Sequence, residues 1–260
     1  GRPRCLKFEP AAAGRYNAAH PCKDSSMPSS SIVDYDAIRA AEAHHTPYDY
    51  MLGKGALRAE WIPALRESFP DINVTGFHPL SQMKIQGAFA KLMEEIEGPE
   101  FTAAVSAALG LDLSRCPTLI TIRKLSAAHE GRIHCDSQSK IATLLIYMNE
   151  GWLSPEGRFR VLRNDRDFND YVVEVSPEMG SFVAFRRADH SWHGHTPFVG
   201  ERRVVQIAWV RSQADIDRKN KRHGVSSFFK NLLRREKRGG VLTGTPASRS
   251  AANAPDNPTR

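Results

Sequence analysis

The sequence is short of the features that mark several specialised classes. No run reaches the roughly 18 consecutive apolar residues that a membrane-spanning helix needs. The first residues contain no apolar core of the kind that leads a secretory signal, so none is expected. Only four cysteines occur in 260 residues (Cys5, Cys22, Cys116 and Cys135), and none forms a C-x-x-C pair. That argues against a zinc knuckle and against a disulfide-dense scaffold, and makes a reducing cytoplasm the expected compartment. No internal repeat is visible, which argues against a solenoid or propeller.

A basic body is also lacking, although the net charge is +7. From Asp217 to Arg260 there are eleven Lys/Arg and three Asp/Glu, a balance of +8. The remaining 216 residues carry 25 Lys/Arg against 26 Asp/Glu, a balance of −1. The basic character therefore sits in a tail over 217–260. That tail offers contact with nucleic acid phosphates or an anionic membrane, but a solvated tail is the simpler expectation.

Three zones are expected. Residues 1–30, rich in Ala, Ser and Pro, read as disordered, with Met27 as a plausible true start. Residues 31–215 read as one domain, with helical support over 31–116 and a β core over 117–211. The expected helices are Asp34 to His44, Gly55 to Phe69, Phe89 to Ile96 and Glu100 to Leu109; Gly110 stands where a helix-ending glycine belongs. After Pro117, short β-branched or aromatic runs alternate with turn residues: Leu119 to Arg123, Ile141 to Met148, Phe159 to Leu162, Tyr171 to Val175, Ser181 to Phe185 and Arg203 to Val210. That spacing predicts a sandwich or jelly roll. The tail from 216 reads as partly helical, Ser226 to Arg235, then unstructured.

One H-x-D triplet occurs, His134-Cys135-Asp136. In extended chain, His134 and Asp136 point to one side and Cys135 to the other. An imidazole and a carboxylate so placed are two ligands of a facial metal site, which a histidine from a later strand would complete. The segment His190-Ser-Trp-His193-Gly-His195 offers three candidates. By itself the triad also fits a zinc-dependent hydrolase.

The combination of His134-x-Asp136, Thr143-Leu-Leu-Ile-Tyr147-Met-Asn149, Glu156-Gly-Arg-Phe-Arg, Gly180-Ser181, Trp192-His193-Gly and Arg203 through Trp209 resembles the Fe(II)/2-oxoglutarate-dependent dioxygenases, in their prolyl-hydroxylase-like branch. The resemblance implies an α+β fold with a double-stranded β-helix (jelly-roll) core, N-terminal supporting helices and, in this chain, a basic C-terminal tail. It implies Fe(II), 2-oxoglutarate and O2, with ascorbate as an accessory reductant. It assigns His134, Asp136 and His193 as metal ligands and catalytic residues. That family places a basic residue nine or ten positions past its distal histidine to bind the far carboxylate of 2-oxoglutarate. Arg203 lies ten past His193 and takes that role, while adjacent Arg202 is expected to face away into solvent or a salt bridge. Tyr147 matches a tyrosine whose hydroxyl reaches the same carboxylate. Val205 stands where many members carry Ser. The implied activity is hydroxylation of an unactivated C–H in a small-molecule or peptidyl substrate, with release of succinate and CO2. A jelly-roll binding module without catalysis is the non-enzymatic alternative.

Overall fold

The computed structural model describes residues 31–217. The expectations for 1–30, for a helix over 226–235 and for nearly all of the basic tail lie outside the described residues.

Helix α1 spans Tyr35–Arg39 and is capped by the Asp34 carboxylate, which accepts from the Ala37 amide at 3.0 Å. It stops before His44. Residues Glu42–His44 form strand β1, which pairs with β2 (Tyr50–Gly53) in register Glu42↔Leu52. Tertiary pairing at a sheet edge thus overrides the local helical pattern. The helix expected over Gly55 to Phe69 is also cut down, to a 3-10 turn at Ala59–Trp61 and α2 at Ile62–Glu67. Leu57 is drawn into a bridge with Val33 instead. Pro63 has no N–H to continue a helix from the preceding turn, so it occupies the first turn of α2.

The two-residue strand β3 (His78–Pro79) leads to α3 (Gly87–Glu97) and α4 (Pro99–Leu109). Helix α3 buries Phe89, Leu92, Met93 and Ile96 on one face, each stabilising by about 1.5–3 kcal/mol relative to exposure. Helix α4 starts on a proline and ends at Gly110, whose φ of 63° is the left-handed conformation that glycine adopts without strain.

The later strands are β4 (Thr118–Ser126), β5 (Lys140–Tyr147), β6 (Phe159–Leu162), β7 (Tyr171–Val175), β8 (Phe182–Arg186), β9 (His193–His195) and β10 (Gly200–Val210). They form two antiparallel sheets. The larger runs β1-β2-β8-β5-β10-β4-β3 and the smaller β7-β6-β9. Strands β1, β2 and β3 come from the part expected to be helical support, so that part also builds the edges of the main sheet.

Both faces of the main sheet are covered. Ala142, Leu144, Ile146, Val205, Ile207 and Trp209 face the helices. Leu145, Tyr147, Val183, Phe185 and Val204 face Phe159, Val161 and Val175 of the smaller sheet. The result is a jelly-roll sandwich backed on one side by helices. Its open end, between the sheets, is where the polar residues of the core collect.

Candidate functional site

The segment Gly131 to Asp136 runs beside β9. His134 and His193 exchange both backbone hydrogen bonds at 3.0 Å, which fixes their side chains as neighbours with ring centroids 4.4 Å apart. Two glycines make this approach feasible. A Cβ on Gly194 would lie 2.6 Å from the Gly131 carbonyl oxygen, and one on Gly131 would lie 2.3 Å from the His195 ring. Strand β9, absent from the sequence expectation, is too short and too rich in His and Gly to show a β pattern.

The ring orientations are set by backbone. Nδ1 of His134 lies 2.8 Å from the Arg132 carbonyl and Nδ1 of His193 lies 2.9 Å from the Ser191 carbonyl. A carbonyl only accepts, so each Nδ1 carries the proton and each Nε2 keeps its lone pair for a metal. Phe185 and Phe159 pack on His193, with centroids at 4.3 and 5.5 Å.

Asp136 is buried and accepts from Lys140 Nζ on one oxygen and from Thr143 Oγ1 on the other, each at 2.6 Å. Each oxygen has a second lone pair, so either remains able to bind a cation. Burial alone would raise the Asp136 pKa. The Lys140 ammonium, His193 and the two hydrogen bonds outweigh it and hold the carboxyl well below the usual range. Burial pushes His193 down to about 4 against the pull of Asp136, so at neutral pH its imidazole is in the ligating form.

One ligand atom from each of His134, Asp136 and His193 falls within 4.8 Å of the others. Two imidazoles and one carboxylate on one side of a cavity fit a metal of the Fe(II) type with open positions. Cys135 points away, its thiol 3.5 Å from the Asp189 carbonyl oxygen. His190 and His129 lie outside regular elements and do not line the cavity.

The cavity beside the triad measures about 600 Å³. Phe77, Leu119, Leu145, Phe159 and Phe185 supply its apolar wall, and Arg123, Arg202, Lys140, His195, Thr121 and Gln206 its polar groups.

The expected anchor Arg203 is not among them. It pairs with Glu201, stacks on Phe69 with its guanidinium carbon 5.0 Å from the ring centroid, and lines a separate pocket with Arg66, Asn149, Glu150 and Trp152. Arg202, expected to face away, is the residue that enters the cavity. It is only 2% exposed, donates through Nε to the Gly157 carbonyl at 2.7 Å, and approaches the Tyr147 hydroxyl at 3.4 Å. Among the described residues it has no carboxylate partner within ion-pair distance. The reason is strand parity: side chains 202, 204 and 206 share the inter-sheet face, while 203, 205 and 207 share the other.

Tyr147 is fully buried behind Arg202, not on the cavity wall. Two residues past Arg202 stands Val204, again without a hydroxyl. His195, one of the three candidates for the distal ligand, lines the cavity without joining the triad. It is buried against Arg123 (His195 Nε2 to Nη1, 3.4 Å), with its Nδ1 donating to the Thr196 carbonyl, and burial pushes its pKa down to about 3.

Residues 121–211 match the family model described as the 2OG-Fe(II) oxygenase superfamily. Its members use Fe(II), 2-oxoglutarate and O2. No curated protein matches the chain. Among solved structures it is similar to a Pseudomonas putida prolyl-4-hydroxylase, at 16% identity and TM-score 0.44, covering 68% of this chain and 92% of that one. It is also similar to a prolyl 4-hydroxylase from Phytophthora capsici, at 17% identity and TM-score 0.47, covering 71% and 72%. A collagen prolyl hydroxylase of Paramecium Bursaria Chlorella virus-1 shares 13% identity at TM-score 0.42, covering 62% and 96%.

Proposed function

We propose that His134, Asp136 and His193 hold Fe(II) and that Arg202 receives the distal carboxylate of 2-oxoglutarate, in a site that hydroxylates an unactivated C–H of a small-molecule or peptidyl substrate. When bound, the iron couples oxidative decarboxylation of the keto acid to activation of O2, releasing succinate and CO2. The chain's own groups do the positioning. The Arg132 and Ser191 carbonyls fix both imidazoles as Nε2 ligands. Lys140 and Thr143 hold Asp136 ionised and oriented. The Gly157 carbonyl and Tyr147 hydroxyl aim the Arg202 fork, and the aromatic wall limits water at the reacting end.

The observation that carries this reading is Arg202, a fully buried guanidinium in the same cavity as the triad and without an acidic partner of its own. A buried charge needs compensation. A dicarboxylate whose other end chelates the metal supplies it, whereas hydrolysis on zinc has no use for such an anchor. The test is anaerobic. Fe(II) and then 2-oxoglutarate are added to the protein, and the visible absorption of an iron–keto acid chelate is followed. The chelate should form with the wild type and fail with Asp136→Ala. Tight zinc uptake with no chelate, from a chain that has no affinity for 2-oxoglutarate, would overturn the reading.

A further inference from the structure

Arg123 is a second buried cation in the cavity, and neither the triad nor the Arg202 anchor uses it. It projects from β4, whose residue 123 faces Val204 of β10 across the ladder, so it stands on the same layer as Arg202 and Tyr147. Its guanidinium carbon sits 4.1 Å from the Phe77 ring centroid, and its side chain is only 8% exposed. Its polar contacts are long: Nη2 to Glu130 at 3.4 Å and Nη1 to His195 Nε2 at 3.4 Å. Its Nε is buried with no hydrogen-bond partner. Burial lowers its pKa to about 10, with the Arg202 charge adding to the effect, so it stays charged at neutral pH and feels the other arginine.

Two guanidiniums therefore share one end of the cavity, with Glu130 as the only carboxylate in ion-pair range of either among the described residues. One positive charge there is uncompensated. Two forks facing one space suit a carboxylate better than a neutral group, because its two oxygens offer four lone pairs.

We infer that Arg123 and Arg202 together clamp the distal carboxylate of the keto-acid co-substrate, making Arg123 a specificity residue that selects a chelating ligand with a distal carboxylate over one without. This rests on the function proposed above. Phe77 and Glu130 hold the Arg123 plane, and the ligand takes the guanidinium N–H groups that line the cavity.

The test is calorimetric binding to the full chain loaded with Mn(II), which does not turn over. Two probes are compared: 2-oxoglutarate, and oxalate, which offers the chelating end alone. Arg123→Gln should weaken 2-oxoglutarate about ten- to hundredfold, the range for a hydrogen bond to a charged group, and leave oxalate unchanged. Arg123→Lys, which keeps the charge and the stem on Phe77 but not the fork, should fall between the two. Equal losses for both probes would mean that Arg123 only supports the fold, and would overturn the inference. So would wild-type affinity for 2-oxoglutarate in Arg123→Gln. A wild-type chain that binds Mn(II) and oxalate but not 2-oxoglutarate would overturn the functional reading itself.

Discussion

The exchange of Arg203 for Arg202 gives the sharpest test, because the two residues are adjacent and chemically identical. Arg202 is buried and its fork is held by the Gly157 carbonyl and the Tyr147 hydroxyl. Truncating one partner of a buried, hydrogen-bonded charge pair costs about 2–5 kcal/mol. Gln retains some hydrogen bonding, so a loss of about 3 kcal/mol is expected for Arg202→Gln, roughly 150-fold in the Kd of 2-oxoglutarate. Arg203 is 22% exposed, is already paired with Glu201, and lies on the opposite face of the strand. Arg203→Gln should therefore stay within about twofold of wild type, as expected for a partly solvated pair. The assay is an anaerobic titration of the Fe(II)-loaded chain followed by the absorption of the chelate, with oxalate as the control for an intact metal centre. If Arg203→Gln lost 2-oxoglutarate while Arg202→Gln kept it, the parity argument would be refuted.

Other perturbations probe the surrounding geometry. Thr143→Val keeps shape but removes one donor to Asp136; metal-free stability should fall by about 1.5–3 kcal/mol in urea unfolding, and no change would show that Thr143 does not serve the carboxylate. Tyr147→Phe deletes the hydroxyl that accepts from Arg202, so 2-oxoglutarate should bind about fivefold more weakly, from roughly 1 kcal/mol of lost hydrogen bonding, with oxalate unaffected. Gly194→Ala places a methyl against the Gly131 and Arg132 carbonyls; the His134–His193 pairing should open and metal affinity drop by about tenfold or more, measured by Mn(II) titration. His195 has a folded pKa of about 3, below the unfolded value of about 6.5. Between those values the unfolded chain binds the proton and the folded one does not, so this stabilisation is full above about pH 6.5 and is lost as pH falls toward 3. Near pH 5, His195→Gln should reduce the slope of stability against pH by about 1.4 kcal/mol per unit, and an unchanged slope would mean that the folded ring already titrates.

Much of the chemistry was legible in the linear chain. The H-x-D triplet works because alternation along extended backbone is local, so His134 and Asp136 share a side whatever the rest of the fold does. Spacing within the resemblance pointed to His193 over His190 and His195, and the structure places its ring near His134 and Asp136. Strands β6 and β7 fell where the β-branched runs lay, because those short runs are bounded by clear turn residues. Helices α3 and α4 fell close to their expected spans because each carries a buried face and sits between glycine and proline signals.

Other features were decided only by the tertiary structure. Strand β10 is apolar on both faces, with Val204 and Ala208 on one and Val205, Ile207 and Trp209 on the other. A doubly buried strand has no polar alternation to mark its inner side, so the sequence could offer Arg202 and Arg203 but not choose between them. Strand β9 owes its existence to a partner far along the chain, β6, and β1 to the sheet edge that β2 presents, since neither has a pattern strong enough to form alone. The meeting of Arg123 with Arg202, and of Lys140 with Asp136, depends on which residues lie opposite one another across the ladders and in the adjoining turn. Local sequence thus determined which side chains were available for chemistry, and the packing of two sheets determined which of them face the same space.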